Sequence, residues 1–270
     1  PSLYIAEYKF NDARMSSVEV DGSNPQTLFT LPAAQWLPIG LTINTASNRL
    51  YWIDAAGSSK VISSNLNGTG AVVSPVTGST RGASLDSLGR FYYSASGTLF
   101  RVNADGTNRV TLFTGAVPNT MGNPRVDATN NHVYIGSDGR IYRMILDGTD
   151  VKVILRGASI VRAIGLDIAN NYIYWADADT LTDFIGRARL DGSEYTILID
   201  NSPLVTGSSG ISDFLLDPAG GYLFIANDLN DTVRKHSIDG TNPQVIYTSV
   251  NGQSPSGLVL STGEYRQALL

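Results

Sequence analysis

Three arginines, Arg81, Arg125 and Arg162, stand at or near the start of three successive strand-like runs. If those runs converge, their guanidinium groups could hold a carboxylate, a phosphate or a developing oxyanion through charge-assisted hydrogen bonds. The alternative is that each pairs with an acid or a carbonyl of a neighbouring element. Two oxygen-rich stretches, Asp177, Asp179 and Asp183, then Asp228, Asn230 and Asp231, carry ligand types that calcium takes. Neither has the spacing of an EF-hand loop, so they read as solvated turn carboxylates, and no metal is expected. The histidines are His132 and His236 alone, and there is no cysteine. A Ser-His-acid triad or a histidine metal cluster is hard to assemble from that inventory, and thiolate nucleophiles, zinc-thiolate sites and disulfides are excluded. No Gly-rich phosphate loop leads from a strand into a helix, and no cofactor is expected.

The elements that must position these residues repeat along the whole chain. Six closing turns, Asp21-Gly22-Ser23, Asn67-Gly68-Thr69, Asp105-Gly106-Thr107, Asp147-Gly148-Thr149, Asp191-Gly192-Ser193 and Asp239-Gly240-Thr241, have glycines 46, 38, 42, 44 and 48 residues apart. Strand-like runs fill the intervals, and a period near forty predicts an all-β propeller of six four-stranded antiparallel blades. The Asp-Gly and Asn-Gly pairs are expected to make tight turns, since both residues tolerate positive φ. Aromatic runs, with Tyr51, Trp52, Tyr92, Tyr93, Tyr134, Tyr174 and Trp175, read as middle strands packed between blades. Asn44, Asp86, Asp127, Asp167 and Asp217 end the preceding strands, where such side chains cap bends. The first copy offers three strands, and Ser256 to Leu260 resembles the first strand of later copies. Pairing it with Leu3 to Glu7 would close the ring and remove a free sheet edge.

Leu50-Tyr51-Trp52-Ile53-Asp54 and Ile173-Tyr174-Trp175-Ala176-Asp177 carry the repeat most fully, with looser copies at Leu3, Phe91, Val133 and Leu223. This unit resembles the YWTD repeat, the class B repeat of low-density-lipoprotein-receptor propellers, over nearly all of the chain. The family's threonine is absent from all six copies. The resemblance implies a six-bladed propeller and an extracellular module that binds a protein or a glycan through its loop face. The cysteine-rich modules that flank such propellers in receptors have no counterpart here.

Six blades of this period consume all 270 residues, so one domain over 1–270 is expected. Charged residues make up 16%, and the formal charge of -5 disfavours a nucleic-acid partner. No stretch nears the roughly 20 apolar residues that span a bilayer, and a soluble chain is expected. The start at Pro1 without methionine suggests trimming or a removed signal peptide. The sequons at Asn67 and Asn230 permit secretion, so an extracellular setting is favoured over a cytoplasmic one.

In a propeller, the loops between blades share a face with those joining second and third strands, and they surround the central channel. On that face Phe10, Trp36, Met121 and Phe184 are large apolar side chains in predicted loops, either lining a ligand or else plugging the channel mouth or covering the core. With Arg81, Asn123, Arg125, Arg162 and Asp213 they form the candidate ligand-binding set. One reading is an axial pocket for a small, largely apolar molecule, with turnover by positioning and hydrogen bonding alone. Fungal propellers that act as pericyclic catalysts, hetero-Diels-Alderases among them, are a fold-level analogy for it. The other is the protein or glycan recognition that the repeat resemblance implies.

Overall fold

The computed structural model describes residues 1–56, 59–75, 80–116, 121–178, 183–200 and 210–262, without the side chains of Pro75, Thr80 and Arg81. The first blade takes β1 (Ser2–Tyr8), β2 (Arg14–Glu19) and β3 (Gln26–Thr30). The second is β4 (Pro38–Asn44), β5 (Arg49–Asp54), β6 (Lys60–Asn65) and β7 (Val72–Pro75), and the third is β8 (Thr80–Leu85), β9 (Phe91–Ala95), β10 (Thr98–Val102) and β11 (Val110–Thr114). The fourth is β12 (Arg125–Asp127), β13 (His132–Ser137), β14 (Arg140–Ile145) and β15 (Lys152–Arg156). β16 (Val161–Asp167), β17 (Tyr172–Ala178), β18 (Asp183–Arg189) and β19 (Thr196–Asp200) make the fifth. The sixth is β20 (Ile211–Asp217), β21 (Tyr222–Asn227), β22 (Thr232–Ser237) and β23 (Gln244–Thr248), and β24 (Ser254–Leu260) returns to the first.

Each sheet is a four-stranded antiparallel meander, and the first has the order β24-β1-β2-β3. Leu3 pairs with Leu260, Ile5 with Leu258 and Tyr8 with Ser254, so the two ends of the chain close the ring as their pattern predicts. The inner strands touch one another in sequence around the axis, β24 to β4, β8, β12, β16, β20 and back. Each interface between blades holds its own apolar cluster, and Trp52, Trp175, Tyr92, Tyr93, Tyr134 and Tyr174 are among the largest fully buried side chains. The aromatic middle strands are core because a sheet radiating from an axis leaves a wedge that widens outward, which only bulky side chains fill.

The closing turns are tight, and only the glycine of each Asp-Gly pair uses its tolerance of positive φ. Gly22 has φ of 88°, but Asp21 is not among the residues with positive φ; the second is Asn24, at 51°. Gly22 N donates to Glu19 O at 2.8 Å and Glu19 N to Ser23 O at 2.9 Å, a type I turn followed by a left-handed glycine. Asp21 serves instead as acceptor, taking Ser23 N at 2.9 Å and Ser23 Oγ at 2.6 Å, and these bonds hold its carboxyl below the usual range. The same bonds recur at Asp105, Asp147, Asp191 and Asp239. Glycine is required twice over: a Cβ on Gly192 would lie 2.0 Å from Ile154 O of the preceding blade. At the ends of the first strands, Asn44, Asp86, Asp127, Asp167 and Asp217 all accept backbone N–H groups of the following bend.

The closing seam also carries a buried ion pair. Glu7, fully buried, receives Arg14 Nε at 2.7 Å and Arg14 Nη2 at 3.1 Å, together with the Ser16 hydroxyl and the Tyr247 hydroxyl at 3.1 Å from the sixth blade. Breaking such a pair from one side strands a charge, so Arg14→Met is expected to cost about 3–5 kcal/mol, with the Glu7→Gln/Arg14→Met pair costing less than the sum of the single changes in denaturant melts. Deleting residues 256–270 removes Leu258, Val259 and Leu260, each no more than 3% exposed. At about 1.5–3 kcal/mol per aliphatic side chain the loss is on the order of 5 kcal/mol, enough to unfold a domain of ordinary stability in a thermal melt.

Candidate functional site

On the upper face, where blade connections and second-to-third-strand loops lie, the inner strands approach one another closely at their first residues. Asn123, just before β12, donates its backbone N–H to Arg162 O at 2.7 Å and its Nδ2 to Asp213 Oδ1 at 3.3 Å. Asp213, on β20 and buried, accepts Leu258 N through its other oxygen at 2.9 Å. Two polar residues thus link the fourth, sixth and first blades by a chord across the channel. Gly82 makes room for it, since a Cβ there would lie 1.8 Å from Asn123 Oδ1.

The arginine contacts among the described residues lead to different neighbours. Arg125 Nε donates to Ile164 O at 2.7 Å, strapping the fourth blade to the fifth, which is the neighbour-carbonyl alternative. Arg162 lies within electrostatic reach of Asp228. The side chain of Arg81 lies outside the described residues, although β8 carries its backbone to the axis. The structure therefore brings Asn123 and Asp213 into contact, with the Arg162 backbone held by Asn123.

The large apolar residues belong to separate interfaces. Trp36 packs on the cluster between the first and second blades, Phe184 on that between the fourth and fifth, and Met121 is buried between the third and fourth. Met121 lies in the connection before β12 but is buried in the core, and Phe184 lies within β18, because the inner edge of each wedge extends up to the loops. Phe10 alone stands out, 68% exposed, with its ring edge-to-face on Trp36 at 5.4 Å.

The acidic stretches also fall differently from their reading as solvated turns. Asp177 is buried in β17 and accepts Ser159 N at 2.7 Å and Ile160 N at 2.9 Å, pinning the connection between blades. Asp183 opens β18, buried, and accepts Gly210 N at 2.5 Å. Asp179 lies outside the described residues. Burial pushes the Asp228 carboxyl up, Arg162 pulls it down, and Asp183 and Asp231 push it up further. Tyr8 is likewise raised, chiefly by burial and then by Asp228, and the Ser254 hydroxyl bonds Asp231 at 2.6 Å. Among the described residues no group of three or more His, Cys, Asp or Glu could hold a metal ion. What the arrangement offers instead is a carboxyl and a phenol that both keep their protons to higher pH than usual, beside one guanidinium. Tyr8 has no marker in the sequence, since β1 and β24 bring it to Ser254 from opposite ends of the chain.

No family model matches the chain. The proto-oncogene tyrosine-protein kinase ROS of Gallus gallus is 31% identical over 91 residues, a match that covers 34% of this chain and 4% of the length of that relative. A chain of the nidogen/laminin complex superposes with a TM-score of 0.76 at 15% identity, covering 95% of this chain and 97% of that one. TolB from Acinetobacter baumannii gives 0.72 at 12% identity, over 95% of this chain and 66% of that one. Regucalcin from Agrobacterium tumefaciens, described as a calcium-binding protein, gives 0.63 at 16% identity, over 77% and 73%. At these identities the likenesses show the propeller fold alone.

A carboxyl raised in the folded state opposes stability once pH rises above its unfolded value, near 3.8, and through its folded value. Asp228→Asn is therefore expected to melt above the wild type at pH 7, with the gain vanishing below the unfolded carboxylate range, where both states are protonated. A pH series of thermal melts checks the sign.

Proposed function

We propose that the chain is a recognition module of the YWTD type that binds a protein partner through the upper face over the second, first and sixth blades. The observation that carries this is a set of exposed apolar side chains on loops bonded to one another. Phe10 rests on Trp36, and Val250 and Leu229 follow at 52% and 44% exposure. Lys9 Nζ donates to Asn251 O at 2.5 Å, Gln253 Nε2 to Asp12 O at 2.9 Å, and Ser249 N to Asp231 O at 2.7 Å, so all three loops are tied together. An aromatic anchor on a rigid frame loses little conformational entropy when a partner covers it, which is the physics of an interface hot spot. Support also comes from the repeat resemblance and from the likeness to a chain of a complex between nidogen and laminin.

A second reading, a small molecule held at the axial mouth and converted by positioning and proton donation, rests on Asp228 and Tyr8 beside Arg162. The separation of Trp36, Met121 and Phe184 into three clusters removes the shared apolar wall that would make it the first choice.

Phe10→Ala is expected to leave stability within about 0.5 kcal/mol, as for exposed side chains generally, and to weaken the partner complex by about 2 kcal/mol, roughly thirtyfold. A photo-crosslinking residue at Val250 should capture one protein that is lost in the Phe10→Ala background. The same residue at Leu88, 75% exposed on the opposite face, should not capture it. Equal capture from both positions, or capture indifferent to Phe10, sinks the reading.

A further inference from the structure

The fourth blade departs from its neighbours in one place. A row of directly paired residues runs outward across each blade, and in the third to sixth its second and third members are an aromatic ring and a cation: Tyr92 and Arg101, Tyr134 and Arg143, Tyr174 and Arg187, Phe224 and Lys235. Elsewhere that cation is covered or tied to the next blade. Arg101 Nη1 donates to Leu146 O at 3.1 Å and Lys235 Nζ to Val20 O at 3.0 Å. Arg187 stacks on Tyr172 at 4.6 Å and Lys235 on Tyr222 at 4.7 Å.

In the fourth blade the residue equivalent to Tyr172 and Tyr222 is His132, a smaller ring. Among the described residues Arg143 bonds the Tyr134 hydroxyl of its own blade and its Nε is buried without a hydrogen-bond partner; Arg187 does the same with Tyr174, but it lies against the Tyr172 ring. The outer residue of the row is Lys152, where the other blades have Gln26, Val72, Val110, Thr196 and Gln244. The result is a groove of about 850 Å³ between the fourth and fifth blades, lined by His132, Tyr134, Arg143, Lys152 and Arg156 on one side and by Leu190 and Asp191 on the other. Three lining cations face one lining carboxylate in a chain of net charge -5. Of the two further acids nearby, Asp127 is held by Asn130, and Asp150 pairs with Lys152 at 2.9 Å where both are exposed, a pair that a ligand anion can replace.

We propose that this groove binds a sugar-sized ligand carrying a sulfate or phosphate ester, with the ester oxygens between Arg143, Lys152 and Arg156. The volume falls within the range of small-molecule sites, about 300–1,000 Å³, and exceeds what an inorganic anion fills. Planar guanidinium donors and a mobile ammonium are the groups that recognise tetrahedral oxyanions. The site is separate from the upper-face set, because Asp191 belongs to a closing turn on the opposite face. His132 supplies a reporter. Its imidazole is held below its usual range by burial and then by Arg143, with Lys152 adding to the effect and Asp127 and Asp150 opposing it. An anion beside Arg143 and Lys152 relieves that repulsion, so the bound state favours imidazolium and affinity rises as pH falls.

The test is calorimetric titration with glucose 6-sulfate, glucose 6-phosphate and glucose, on the wild type and a Lys152→Gln/Arg156→Gln variant whose two altered side chains are both exposed and leave the fold intact. Binding of at least one ester but not of glucose is expected, with a loss of tenfold or more in the variant, and the tighter ester identifies the source of the oxyanion. Saturation with that ester should move the NMR titration midpoint of His132 upward. Failure of both esters to bind, glucose binding as tightly as an ester, undiminished affinity in the variant, or an unmoved His132 midpoint would each overturn the proposal.

Discussion

Everything in this molecule depends on closing a ring whose two ends come from opposite ends of the chain. β24 and β1 share a ladder, and without it the first blade would present a bare edge on each side of the seam. The Glu7 and Arg14 pair, with Tyr247 reaching in from the sixth blade, adds directional bonds where apolar packing alone would tolerate slippage. A buried pair of this kind adds little net stability over an apolar substitute, but it penalises any misregister that separates its members. Ring closure is also what carries Tyr8 to Ser254 and sets the Lys9 and Gln253 bonds that stiffen the upper loops. The proposed recognition surface is thus a by-product of the seam.

Around the axis the constraint is space. Inner strands that nearly meet need small residues, and Gly82 yields its Cβ volume to Asn123, which in turn spans to Asp213. Further out, the wedges widen and take tyrosine, tryptophan and arginine. The cations in those wedges must find a carbonyl or a ring face, as Arg101 and Lys235 do, because a buried guanidinium or ammonium without partners is costly. The fifth and sixth blades cover theirs with Tyr172 and Tyr222, and the fourth has His132 at that place, on the wall of a groove.

The fold was legible in the sequence because its information is local and periodic. The Asp-Gly turns, the aromatic runs and the orphan strand at Ser256 to Leu260 specify six meanders and their closure, and the bend-capping role of Asp127 and Asp167 follows from their side-chain chemistry alone. The turn geometry was less legible, since Asp21 and a residue with positive φ obey the same composition rule while doing different things. The candidate site was legible only in part. Asn123 and Asp213 do meet, whereas Arg125 is spent on Ile164 O and Met121 on the core.

What the sequence determined by itself is the repeat, hence the number of blades, the composition of their wedges and the absence of thiol chemistry. What only the tertiary structure decided is which side chains face one another across blades. Residues 90 apart, such as Asn123 and Asp213, come together through the rotation of one blade against the next, and no local pattern encodes that angle. The upward shift of the Asp228 carboxyl arises the same way, from burial, from Arg162 and Asp183 on other strands, and from Asp231 in its own loop. Electrostatic environment is a property of distances in space, and a repeat sequence leaves those distances open until the ring has closed.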